Sequence, residues 1–117
     1  MQDFRSLKVW ERAHSFALEV YRVTKGFPSD ERYGLTDQLR RAASSVAANI
    51  AEGCGRDGAK DMARFLTMAA GSASEAEYRL LLARDLGYLT PDTHVPMEAS
   101  AKEIRKMLYV LRTKVLA

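Results

Sequence analysis

Two adjacent arginines, Arg40 and Arg41, open a run of small uncharged residues that ends in three glycines, Gly53, Gly55 and Gly58. Arginine can grip phosphate through paired N–H groups, or carboxylates across a subunit interface. The glycines spell G-x-G-x-x-G, the spacing of a dinucleotide-binding loop. Arg56, Lys60 and Arg64 fall in and after them. Near the end of the chain Lys102, Arg105, Lys106 and Arg112 recur, with Tyr109 among them. Cations interleaved with an aromatic ring suit phosphate contact and base stacking. The competing reading is plainer, because every soluble helix needs a charged face.

The glycines do not read as a nucleotide loop. A dinucleotide fingerprint needs a strand before it and a helix after it. The preceding stretch SSVAANIAE reads as helix. A phosphate loop of the G-x-x-x-x-G-K-[ST] type needs lysine next, and Ala59 stands there, with Lys60 one place late. Their expected role is structural: Gly53 or Gly55 ends a helix with positive φ, and Gly58 helps the chain reverse. Arg56 and Lys60 then lie near a helix N-terminus, where an anion can bind.

Other catalytic or metal chemistry finds little support. Glu11 precedes His14 by three, but Pro91 stands three before His94, so the paired Glu-x-x-His set of a di-metal bundle is missing. Cys54, the one cysteine, has no evident base beside it and reads as an inert thiol. The sequence therefore predicts no enzyme, no metal and no cofactor.

These residues must be carried by helices. Apolar residues recur at helical spacing in four segments, and no segment alternates in the strand pattern. The first carries Val9, Trp10, Ala13, Phe16, Ala17, Val20, Tyr21, Val23 and Phe27 on one side. The second carries Leu35, Leu39, Ala42, Ala43, Val46, Ile50 and Gly53. The third, about 59–86, carries Met62, Phe65, Leu66, Ala69, Ala73, Ala76, Leu80 and Ala83, and Gly87 reads as its left-handed stop. The fourth opens Thr90-Pro91-Asp92, a cap with proline at the first helical position. Its stripe is Met97, Ala101, Ile104, Leu108, Leu111 and Val115, and Pro96 places the main helix start near Val95. Between Ser44 and Ala51 there is no charge on any side. A helix uncharged all round has neighbours on two sides, one of them expected to be another subunit. Long helices with short loops predict an all-α, antiparallel up-down four-helix bundle.

At 117 residues, 47% hydrophobic and 28% charged, the composition is that of one soluble domain spanning 1–117. The net charge of +3 and pI of about 9.2 permit nucleic acid as a partner without requiring it. No apolar run is long enough to cross a membrane, the start lacks a signal-peptide core, and a single cysteine fits the cytoplasm.

Several elements stand in a fixed order: Phe4-x-x-Leu7-x-Val9-Trp10, Phe27-Pro28, Glu31-Arg32-Tyr33-Gly34-Leu35, Gln38 with Arg40-Arg41-Ala42, Asn49-Ile50-Ala51-Glu52-Gly53, and Leu81 to Leu89 as LLARDLGYL. This series resembles the bacterial four-helix-bundle family of 23S rRNA intervening-sequence proteins, also called S23, over residues 4 to about 89. The resemblance implies an antiparallel four-helix bundle assembled as a ring-shaped homopentamer. It also implies kinship with the accessory protein of diversity-generating retroelements, a basic pentamer that works with RNA and a reverse transcriptase. It brings no active site. The family often has proline where this chain has Ala47, so a weaker bend is expected there. Asn49 and Glu52 are expected to be structural, capping the turn at Gly53 or bonding between subunits. The first functional expectation is thus a non-enzymatic oligomer that binds RNA or DNA through Arg40, Arg41, Arg56, Lys60, Arg64, Lys102, Arg105 and Lys106. The alternative is a protein-interaction scaffold.

Overall fold

Four helices follow one another in the computed structural model, which describes residues 2–117: α1 (Lys8–Thr24), α2 (Leu35–Cys54), α3 (Ala59–Asp85) and α4 (Pro91–Leu116). No strand occurs among the described residues. Each helix runs antiparallel to the one before it. Gln38 at the start of α2 accepts from Arg79 near the end of α3 at 2.8 Å. Arg105 in α4 reaches back to Glu77 in α3. The start of α1, Leu7–Val9, lies beside Met107–Leu111 of α4. The body measures 44 × 24 × 19 Å, and its length is that of α3, since 27 residues at ~1.5 Å each span ~40 Å.

The periodic faces meet in one core. Leu39, Ala43, Val46 and Ile50 of α2, Ala69, Ala73, Ala76 and Leu80 of α3, and Ala101 and Ile104 of α4 are all fully buried. Several members of the expected stripes stay at the margin, Trp10, Val23 and Met62 among them. Leu111 and Val115 are only half-buried, because α4 continues past the start of α1 and loses its cover. Tyr21 is 43% exposed and serves a cation rather than the core.

The helix ends explain the register. Thr90 caps α4, its Oγ1 accepting from the Thr93 N–H at 3.2 Å. α3 ends in a paired return: the Gly87 N–H donates to Arg84 O at 2.9 Å and the Tyr88 N–H to Ala83 O at 2.8 Å. That geometry needs a left-handed residue, and Gly87 has φ +83°.

Two expectations are corrected. First, α4 is continuous from Pro91, not from Val95. Pro96 removes one bond, to the carbonyl four residues back. The buried face His94, Met97, Ala101, Ile104 and Leu108 holds the helix through that gap. Second, neither Gly53 nor Gly55 has positive φ. Gly53 lies inside α2 and is buried, and a Cβ on it would stand 3.1 Å from Phe65 Cβ and 3.2 Å from the Met62 carbonyl oxygen. It is glycine because α3 approaches there, not because a turn demands it. Gly55 ends α2 with φ −82°, an ordinary helical value.

The loops at the far end are tied by one carboxylate. Glu31 Oε1 accepts from the Leu35 N–H at 3.2 Å, and Glu31 Oε2 from the Tyr88 hydroxyl at 2.9 Å. Hydrogen bonding to Glu31 pushes the Tyr88 hydroxyl pKa above its ordinary value. The α1–α2 and α3–α4 connections are thereby joined. Nothing in the periodicity signals this contact.

Candidate nucleic-acid interface

The eight basic residues singled out by the sequence fall into three settings. Arg40 is an internal strut. Its Nε donates to Thr24 Oγ1 at 2.8 Å, a second nitrogen reaches the Tyr21 carbonyl at 3.4 Å, and its guanidinium lies 4.8 Å from the Tyr21 ring. It thus caps the carbonyl end of α1, where a cation is favoured. Arg41 points to solvent but pairs with Asp37 at 2.8 Å.

The α2–α3 turn holds the second group. Arg56 bridges Glu52 at 3.3 Å and Asp61 at 3.6 Å, while Arg64 meets Asp61 at 2.9 Å. Both guanidinium groups also lie over the Phe65 ring, at 4.7 and 4.5 Å. Asp61 therefore already neutralises the anion-attracting corner at the head of α3. Lys60 is exposed there and takes part in no ion pair among the described residues. Glu52 pairs with Arg56, and Asn49 donates to the Ser45 carbonyl of its own helix at 2.9 Å. Neither caps the turn at Gly53.

The third group is on α4. Residues 102–117 carry five basic side chains (Lys102, Arg105, Lys106, Arg112, Lys114) and one acid, Glu103. That is +4 in a chain of net +3, so residues 1–101 sum to −1. This imbalance is visible in the sequence without the structure. Lys106, Arg112 and Lys114 form no ion pair among the described residues, and Lys102 reaches Glu98 only at 3.7 Å. Arg105 turns from the outer face toward α3, where it bonds Glu77 at 2.8 Å. Tyr109 is 64% exposed amid these cations, with the Arg112 guanidinium 5.9 Å from its ring. Of the three groups, this one presents free charge beside an aromatic face.

Cys54 is buried, and burial, reinforced by the Asp3 carboxylate, pushes its thiol pKa up. It is therefore a neutral thiol and a poor nucleophile near neutral pH. His14 stacks on Trp10, rings 5.0 Å apart. No three His, Cys, Asp or Glu side chains stand together as a metal set among the described residues. No helix among them is long and apolar enough to cross a membrane.

The uncharged stretch of α2 has an explanation within the chain. Val46, Ala47 and Ile50 are buried because α2 packs against both α1 and α3. Ala48 stays exposed and Ser44 and Ala51 half-exposed, leaving a narrow uncharged strip outside.

The family model for the 23S rRNA-intervening sequence protein matches residues 5–110. Among solved structures, the chain is similar to the 1.70 Å crystal structure of a protein with unknown function from the S23 ribosomal protein family of Bacteroides thetaiotaomicron VPI-5482. The TM-score is 0.80 at 24% identity, over 89% of this chain and 97% of that one. At that identity the likeness concerns the fold. No curated protein matches the chain.

Proposed function

Because the chain belongs to the 23S rRNA-intervening sequence protein family, we propose that it acts by binding rather than by catalysis, holding RNA or DNA phosphates on the basic face of α4. The observation that carries this reading is the concentration of positive charge on the C-terminal part of α4, residues 102–116, with Lys106 and Arg112 unpaired on either side of exposed Tyr109. Arg40, Arg56 and Arg64 contribute less, since internal partners already satisfy them. The protein works as a homo-oligomer, with the pentamer of the family resemblance as the leading arrangement. The uncharged strip on α2 and the exposed Leu18 and Tyr21 on α1 support an assembly surface. Repetition around a ring multiplies a modest charge per subunit into a stronger field. Sedimentation weighs the assembly directly.

Lysine acetylation with and without a structured RNA, read by mass spectrometry, tests the placement. The chain has six lysines, three on α4 and three elsewhere at positions 8, 25 and 60. RNA is expected to protect Lys102 and Lys106 and to leave Lys25 unchanged. Protection of Lys25 and Lys60 with unaltered α4 lysines would move the interface off α4.

A further inference from the structure

α3 carries a glycine for which its own helix has no use. Gly71 is in mid-helix, its φ is not positive, and a Cβ there would meet nothing within 4 Å. Glycine at such a place weakens a helix. What the missing side chain does is leave open a trough between α3 and α4, about 500 Å³ in volume. Ala70, Gly71 and Ser74 form one wall, and Arg105, Tyr109 and Arg112 the other. Leu66 and Leu108, each about 1% exposed, give it an apolar floor. Arg105 is held by Glu77 through one terminal nitrogen, and its Nε is buried without a partner.

A site for phosphate alone needs long cations on an open surface and gains nothing from an apolar floor. A tyrosine ring, an apolar floor and guanidinium donors at the rim are the chemistry that receives a flat heterocycle with polar edges. Among nucleic acids, only an unpaired base offers such a face, since a duplex keeps its bases stacked inside.

We propose that the α3–α4 trough beside Tyr109 receives an unpaired nucleobase, so that the nucleic acid held by α4 is single-stranded. This rests on the phosphate reading and adds a base contact to it. The test uses three labelled probes of equal length: a single-stranded RNA, the same strand annealed to its complement, and an abasic strand with the same number of phosphates. The single strand is expected to bind about tenfold tighter than the abasic strand, the scale of stacking one base. Gly71→Leu, which fills the trough, and Tyr109→Leu, which removes the ring, should each bring the single strand down to the abasic level. Neither should alter duplex binding or the dependence on salt. Equal affinity for the single and abasic strands overturns the proposal, and so does native affinity in a folded Gly71→Leu protein. Failure of the phosphate reading is a separate result: no probe binds even at low salt, and the base contact falls with it.

Discussion

Replacing Lys102, Lys106 and Arg112 together with alanine should weaken nucleic-acid binding about one hundred- to five hundredfold at ~0.1 M salt while leaving the fold intact. Each phosphate neutralised releases roughly 0.7 to 0.9 of a counterion, worth about five- to eightfold in affinity at that salt, and three contacts multiply. The log–log salt slope should fall in magnitude by about 2 to 3. Stability should hardly change. Lys106 and Arg112 make no ion pair, the Lys102–Glu98 pair at 3.7 Å is exposed, and such pairs contribute ~1 kcal/mol at most. Alanine is also the best helix former. The informative control is Arg41→Ala, which removes an exposed arginine that Asp37 already holds. It should change affinity by less than about threefold. Equal losses from Arg41→Ala and from the triple variant would mean that the whole surface, not α4, attracts the ligand.

Gly53→Val should damage the fold by forcing α2 and α3 apart. A Cβ at Gly53 already falls 3.1 Å from Phe65 Cβ and 3.2 Å from a backbone oxygen, that of Met62. The two methyls of valine have no flexible side-chain end to push aside, so α2 and α3 must part. Overpacking of this kind costs about 1–3 kcal/mol, a fall in midpoint of roughly 4 °C for each kcal/mol in a domain this size. Gly71→Ala provides the contrast, since its Cβ enters open space. It should add about 0.5–1 kcal/mol through helix propensity. Thermal unfolding at one fixed protein concentration reads both, because assembly would otherwise shift the midpoint. An unchanged midpoint in Gly53→Val would mean that Gly53 does not set the α2–α3 spacing.

Much of the fold was legible because burial imposes a period. Every residue of the predicted α2 stripe is buried, and all but Met62 of the α3 stripe. Period shows which side of a helix faces inward but not how far its neighbours extend. That is why Leu111 and Val115 read as core and are only half covered. Close approach is equally silent. Gly53 looks like a helix stop in sequence, and only the position of Met62 and Phe65 reveals its role.

The candidate site divides along the same line. Asp37–Arg41, Glu52–Arg56 and Asp61–Arg64 stand three or four apart, so their pairing could have been read from the sequence. The charge excess over residues 102–117 was likewise open to counting. Arg40 on Thr24 and Arg105 on Glu77 are 16 and 28 residues apart. No local rule joins them, and they decide which arginines remain free for a ligand.

The central claim is that α4 holds nucleic acid through phosphate contacts, and one measurement meets it most directly. Anisotropy of a labelled single-stranded RNA would be followed across a salt series with the native protein. The account predicts affinity that falls linearly on log–log axes, by about 0.7 per phosphate neutralised, with a slope magnitude of at least ~2 for the cations of one α4. Binding that ignores salt, or no binding at the lowest salt, would contradict it and leave a protein-interaction scaffold as the better account.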